Sequence, residues 1–231
     1  MLDKTHYHRG TLKLEISHPR YYICPILCLA MLTSLTIAAM PFQTDETWPA
    51  GLLTIFNHAR AKRSTFENRY YGPYDKLLNY CFGESFTFYV APQNPLRYDS
   101  RDTVDCIVFL VVFDSNDKPV LIVEVKDDGW LEKAELRYRA DKQMRGWYAL
   151  MLDECPLPRL WGISLLGTSA RVYCGDTTTY QVQPPPIVRP DPSRILLPTF
   201  LAGEWDMDIM TEEGFEKMKE IVTDILAHAG N

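Results

Sequence analysis

Two acids and one amine stand where the surrounding residues predict buried strands. Glu124 interrupts the apolar run 120–125, and Lys126 follows directly after it. Asp105 opens a second apolar run, 104–113. Burying an uncompensated carboxylate or ammonium group is costly, so such groups need partners or a metal ion. We therefore expect these three residues to serve a chemical function.

The spacing of these residues predicts which of them share a face of a sheet. Glu124 and Lys126 are two positions apart, so on a strand their side chains point the same way. If the chain turns through the four residues 114–117, Asp105 falls opposite Lys126 and diagonal to Glu124. A five-residue turn without a bulge would instead put Asp105 on the other face.

Two carboxylates and an amine in one pocket suit hydrolysis of a phosphodiester bond. Asp105 and Glu124 would supply hard oxygen ligands for Mg²⁺ or Mn²⁺, which polarises a phosphoryl oxygen and lowers the pKa of its bound water. Lys126 would orient that water or offset the charge that builds in the transition state. A second metal ion would need a further carboxylate nearby.

Other acids close to these positions are weaker candidates. Asp99 and Asp102 are alternatives to Asp105, although neither begins the apolar strand. Asp127 and Asp128 follow Lys126 directly and are within reach of a metal, but acids after a strand are more often solvated or cap a helix.

The order of these features resembles the PD-(D/E)XK, or restriction-endonuclease-like, nuclease superfamily. Its motif is matched, in chain order, by Asp105, an apolar strand, a hairpin, and Glu124 and Lys126 with one valine between them. Val104 stands where the motif has a proline. The resemblance covers roughly residues 64–183. It implies an α/β fold with a central mixed sheet, helices on both faces and an αβββαβ core. More loosely, the chain resembles the nuclease-like domains of crinkler-type effector proteins.

The resemblance implies roles for further residues. Family members often carry a glutamate on the helix before the sheet, which Glu67 matches, with Glu84 as the rival. Many also have a glutamine on the helix after the Glu-x-Lys strand, which Gln143 matches as a group that shapes the site. Asp105 and Glu124 are the metal ligands that the resemblance implies.

The predicted activity is that of a metal-dependent nuclease that hydrolyses phosphodiester bonds of nucleic acid, with DNA favoured over RNA. The alternative is a catalytically inactive module of the same fold that binds protein or nucleic acid. The acidic balance of the chain and the lack of a DNA-reading motif such as a helix-turn-helix favour this alternative. If Glu124 and Lys126 only form an ion pair on an edge strand, the enzymatic interpretation fails.

The charge of the chain limits how it meets a polyanion. It has 30 acidic against 24 basic residues, a net charge of −6, and so no overall attraction for nucleic acid. A polyanion site must therefore be a local basic patch. The arginine-rich segment 58–69 predicts either such a patch or the solvated face of a helix. Lys142 and Arg145 have the same two interpretations: they contact phosphates, or they are ordinary surface charges.

Hydrophobic periodicity and turn-forming residues predict the elements that position these groups. Helices are predicted at 44–59, 64–69, 73–81, 131–154 and 213–228. Strands are predicted at 86–91, 104–113, 119–126, 160–166, 170–174 and 178–182. The apolar strands 104–113 and 119–126 form a hairpin that we expect at the centre of a sheet, covered by helices on both faces.

Residues 1–43 are predicted to be an apolar extension, and residues 44–231 the nuclease-like domain. The uncharged run 21–42 is typical of a signal peptide or membrane anchor, whereas Pro25 and its hydroxyl side chains favour a core or interfacial helix. Met31 is an alternative start of the chain.

The chain has six cysteines, and their spacing is not that of a zinc site, which favours an intracellular protein, cytoplasmic or nuclear. A membrane is an expected partner only if the segment 21–42 is kept as an anchor.

Overall fold

The computed structural model describes the chain from residue 41 to residue 229, with three gaps. The described ranges are 41–62, 67–83, 86–93 and 108–229, and they belong to one compact unit, Ala38–Asn231. The candidates Asp105, Asp99, Asp102 and Glu84 lie outside these ranges.

A mixed sheet of seven strands forms the centre of this unit. Its strands are β1 Phe88–Pro92, β2 Val108–Asp114, β3 Pro119–Lys126, β4 Arg159–Leu166, β5 Ser169–Asp176, β6 Val182–Gln183 and β7 Met207–Asp208. The first six are neighbours in chain order, and β7 pairs with β5. Among the described strands only β3 and β4 run parallel, as a strand–helix–strand connection requires. The sequence predicted β1 to β5, but the predicted strand 178–182 overlaps β6 only at Val182, and β7 was not predicted.

Five α-helices surround the sheet within the described residues. They are α1 Pro41–Thr44, α2 Ala50–Ala61, α3 Tyr71–Phe82, α4 Ala134–Met151 and α5 Glu212–Ala229, with short 3₁₀-helices at Glu67–Tyr70, Asp128–Trp130 and Leu152–Glu154. The predicted helix 44–59 is wrong at its start, because α2 begins only at Ala50. A residue before proline avoids helical backbone, and Trp48 precedes Pro49.

The two faces of the sheet meet different helices. On one face, Val123 of β3 and two residues of β4 pack against α3 and α5 around a small apolar cavity. On the other face, the ring of Phe109 stacks on Trp147 of α4 with centroids 3.8 Å apart. The general α/β prediction, a mixed sheet with helices on both faces, is therefore confirmed.

The hairpin of β2 and β3 differs in register from the prediction. A plain four-residue turn would place residue 107 opposite Glu124, but the observed partner of Glu124 is Phe109. One residue of the shift comes from the loop, because Phe113 pairs with Pro119 and five residues, 114–118, lie between them. The other comes from the irregular pairing between Val112 and Phe113, where β3 contains an extra residue. A shift of two residues keeps every side chain on its expected face.

The residues just before α2 are tied to the last helix. Phe42 of α1 is fully buried, and its ring lies edge-on to Phe215 of α5 with centroids 5.3 Å apart. The indole of Trp48 donates a hydrogen bond to the carbonyl of Ile209, just before α5, at 2.8 Å. Apolar residues near the start of the described chain therefore complete the core beside α5.

The predicted membrane segment 21–42 lies almost wholly outside the described residues. Among the residues that are described, no helix combines the length and apolar character needed to cross a bilayer.

We expect Gly162→Ala to destabilise the fold by about 1–3 kcal/mol, as overpacking of a core does. A Cβ at this position of β4 would lie 2.6 Å from Oη of the buried Tyr148, whose hydroxyl donates to the carbonyl of Leu160. Urea unfolding measures the change. Gly51→Ala is the control, because nothing lies within 4 Å of its added Cβ, and it is expected to be neutral or slightly stabilising.

Candidate functional site

Glu124 and Lys126 lie side by side on a central strand and are completely buried. Both are 0% exposed, and Nζ of Lys126 is 4.0 Å from Oε1 of Glu124. Their strand, β3, is flanked by β2 and β4, so they do not form a pair on an edge strand. Both point to the face of the sheet that α4 covers, because Phe109, the partner of Glu124, stacks on Trp147.

A short chain of hydrogen bonds orients the carboxylate of Glu124. Ser164 stands beside it on the parallel strand β4, and its hydroxyl donates to Oε2 at 3.4 Å. The hydroxyl of Ser164 in turn accepts from the indole of Trp205 at 3.2 Å. All three side chains are buried. Their connection fixes the direction in which Glu124 points.

An aromatic ring covers the ammonium group of Lys126. Nζ lies 4.5 Å from the ring centroid of Trp130, in the 3₁₀-helix that follows β3. The guanidinium of Arg139 lies 5.5 Å from the same ring. The negative face of an indole stabilises a cation in a desolvated position, so Trp130 offsets part of the cost of burying the Lys126 side chain.

A second buried polar cluster adjoins the pair on the same face. Arg171 of β5, opposite Ser164, donates to the carboxylate of Asp141 on α4 at 3.1 Å and lies 2.8 Å from the carboxylate of Glu204. The hydroxyl of Tyr173 also donates to Asp141, and burial together with this carboxylate raises the pKa of the phenol well above its ordinary value. The cluster is rich in charge but internally compensated.

An irregular segment, residues 197–205, closes this face of the sheet and is here named the covering segment. Its Leu201 and Trp205 form a small apolar cluster with Trp130 and two further residues, Ala140 and Leu166. This cluster is separate from the main core.

Arg137 of α4 holds the covering segment to the helix. Its buried guanidinium donates to the carbonyls of Pro198 at 2.6 Å and Phe200 at 2.8 Å, and to the carbonyl of Leu131 at 2.6 Å. Desolvation lowers the pKa of this arginine. Hydrogen bonds from a charged donor are strong, so Arg137 attaches the segment firmly. The carbonyls carry no charge, however, so the cost of removing the guanidinium from water is not offset by a counterion among them.

The two acids after β3 are used structurally. The carboxylate of Asp127 accepts from the amide of Gly129 at 3.1 Å and so caps the following 3₁₀-helix. Asp128 accepts from the hydroxyl of Tyr70 at 2.9 Å, and Arg69 forms ion pairs with both acids. Burial and the bond to Asp128 raise the pKa of Tyr70. The capping interpretation of Asp127 is thus confirmed.

Glu67 begins the 3₁₀-helix that carries Arg69 and Tyr70. Because these two residues contact the acids that follow β3, the backbone of Glu67 lies near the end of that strand. Gln143 lies half-buried on α4, one turn before Trp147. Its Oε1 is buried and accepts no hydrogen bond from the described residues, and none of the described hydrogen bonds joins it to Glu124 or Lys126. Its role at the site stays a prediction.

Glu124 offers the hard carboxylate oxygens that Mg²⁺ or Mn²⁺ prefers. Within the described ranges, however, no three His, Cys, Asp or Glu residues converge on one point. Asp105, the second predicted ligand, lies outside those ranges. The described part of the site therefore supplies one suitable metal ligand and not a full set.

The basic segment 58–69 does not present its described arginines as an open patch. Arg60 pairs with Asp208 at 2.6 Å, and Arg69 is paired with Asp127 and Asp128. Because both arginines are held in ion pairs, the structure supports neither prediction for them: they form neither an open phosphate site nor a simply solvated helix face.

Sequence reasoning missed the residues that surround the pair. Ser164 interrupts the apolar run of β4 in the way that Glu124 interrupts β3, and the same criterion would have found it. Trp205 and Glu204 carry no local signal, because the covering segment has no periodic pattern and its contacts are distant in sequence.

Comparison of the chain with protein-family models, with curated proteins and with solved structures found no match in any of the three.

We expect the energies of Glu124 and Lys126 to be strongly coupled. Glu124→Gln and Lys126→Met should each destabilise the protein by about 3–5 kcal/mol, because each takes an opposite charge away from a fully buried group. The double variant should cost less than the sum by about 0.5–3 kcal/mol, as measured by urea unfolding of all four proteins.

The matched control for this cycle is the exposed pair of Lys118 and Glu154, near the opposite end of β3. Lys118→Met and Glu154→Gln are expected to be additive, since solvent screens that pair. Additive costs at positions 124 and 126 as well would contradict the coupling.

Proposed function

We propose that the chain is a metal-dependent nuclease of the restriction-endonuclease-like class, with Glu124 and Lys126 at its catalytic centre. The observation that carries the proposal is their complete burial, 4.0 Å apart, on a central strand. A buried ion pair is often less favourable than apolar residues of similar volume. Chemistry therefore explains its presence in this core better than stability does.

The order of elements supports the same class. Helix α3, strands β1 to β3, helix α4 and strand β4 follow one another as in an αβββαβ core. The Glu-x-Lys sequence ends β3, and α4 then connects β3 to the parallel strand β4. Gln143 is on α4, the helix after the Glu-x-Lys strand, whereas Glu67 begins a 3₁₀-helix that precedes α3, so its assignment rests on the resemblance alone.

The chemistry of the donors fits a divalent cation. Asp105 and Glu124 would hold Mg²⁺ or Mn²⁺, and the ion when bound would polarise a phosphoryl oxygen and lower the pKa of its water. Ser164 fixes Oε2 of Glu124 by a hydrogen bond. Lys126 brings a positive charge to the same place, where it would stabilise the negative charge of the transition state. A low-dielectric surrounding strengthens that interaction.

A nucleic-acid substrate, with DNA favoured, is supported by a groove beside α4. The groove has a volume of about 310 Å³ and is lined by Lys142, Arg145 and Arg189. Arg145 is held by Asp141 and Arg189 by Glu135, whereas Lys142 is exposed. A few cations beside a site suffice to position phosphates, even though the whole chain is acidic.

The alternative function is a catalytically inactive module of the same fold that binds protein or nucleic acid. The specific observation in its favour is also the burial of the pair, since 0% exposure leaves no open path for a substrate. The two functions predict opposite results in a cleavage assay.

The decisive experiment is cleavage of plasmid DNA, and of RNA of the same sequence, with Mg²⁺, Mn²⁺ or EDTA. We expect metal-dependent cleavage by the unmodified chain. Glu124→Gln, Asp105→Asn and Lys126→Met should each lower the rate about a hundredfold or more, in line with the loss of a single electrostatic group in other active sites.

The control variant is Glu216→Gln, which removes an exposed acid of α5 on the opposite face of the sheet. Circular dichroism and urea unfolding of each variant confirm that the assay temperature lies below unfolding. Cleavage that survives Glu124→Gln would refute the catalytic assignment. No cleavage by any form, with nucleic-acid binding retained, would establish the inactive module.

A further inference from the structure

We propose that the covering segment, residues 197–205, is a lid that must open before the Glu124–Lys126 site can take a substrate. That the site beneath this lid is a nuclease centre rests on the proposed function. That the lid can open is argued only from the contacts of the segment.

The lid contacts the residues that flank the pair. Trp205 is only 3% exposed, and its indole is hydrogen-bonded to Ser164, the residue that also contacts Glu124. Trp130, over Lys126, packs in the same apolar cluster as Trp205 and Leu201. The two charged side chains therefore lie beneath a layer to which the covering segment contributes.

This layer is able to separate from the rest of the protein. Its apolar cluster has five buried members, against a main core that contains most of the buried residues of the sheet and helices. The segment has neither helix nor strand. Regions with few buried apolar contacts open at lower free energy than the global fold, so the lid can open while the core stays intact.

A few polar contacts latch the lid in its closed position. Glu204 forms an ion pair with the buried Arg171 at 2.8 Å. Arg171 keeps a second partner, Asp141, when Glu204 leaves. Opening therefore leaves the guanidinium of Arg171 with a counterion, so the ion pair with Glu204 can break and form again. Arg137 supplies a second attachment through the carbonyls of Pro198 and Phe200.

The backbone of the lid is bent sharply at its centre. Leu201 has φ 56°, in the left-handed region that a side chain disfavours, whereas Gly203 at φ 82° has no side chain and adopts a positive φ freely. Leu201 is held there by burial of its side chain. Release of the segment relieves this conformation, which favours opening.

The test uses Ser164→Cys as a reporter, because position 164 lies beneath the lid and is fully buried. The rate at which iodoacetamide modifies the introduced thiol is measured by mass spectrometry of the peptide that contains it, on the full chain without metal or substrate. Adding Glu204→Gln, which removes the latch and keeps the shape, should raise the rate about tenfold. Arg137→Lys should also raise it and serves as a second variant if the first fails to fold.

The control is Glu220→Gln, which breaks an exposed ion pair with Lys217 on α5 and should leave the labelling rate unchanged. Labelling should proceed in urea concentrations far below the unfolding transition. An unchanged rate in both latch variants, or labelling that follows global unfolding, would overturn the lid. Faster labelling without any Glu124-dependent cleavage would keep the lid and refute the nuclease instead.

Discussion

The placement of a carboxylate and an ammonium group inside an apolar sheet is the constraint on which this structure depends. Neither Glu124 nor Lys126 reaches water, so the surrounding protein must replace hydration. It does so with a hydroxyl from the neighbouring strand and an indole ring after the strand's end. In a medium of low dielectric constant such contacts strengthen one another, and an incomplete set is heavily penalised. The face that α4 covers is accordingly built around charge, whereas the α3 and α5 face is apolar.

This division of the sheet determines where further charges are tolerated. Arg171 and Asp141 lie on the polar face and compensate each other within a larger network. The opposite face meets α3 and α5 through aliphatic and aromatic side chains, and its cavity is lined by apolar residues and one tyrosine.

The sequence was most informative where a polar residue broke an apolar pattern. The position of Glu124 and Lys126 on a central strand followed from that break, and the bounds of β3 match the prediction at both ends. The register of the hairpin did not follow, because an extra residue near the turn carries no sequence signal. The covering segment was also missed, since Glu204 and Trp205 act through partners in distant strands. Asp105 lies outside the described residues, so its meeting with Glu124 stays a prediction.

The contact between Trp48 and the carbonyl of Ile209 joins positions 161 residues apart, and Phe42 packs on Phe215 of the last helix. During synthesis α5 emerges from the ribosome long after these early aromatic residues. Until α5 docks, these rings can pack on each other and on Tyr80, but not on Phe215. Contacts of such long sequence separation form slowly, and apolar surface exposed meanwhile favours aggregation. Phe42 and Trp48 therefore cannot complete their part of the core until α5 has been synthesised and has docked.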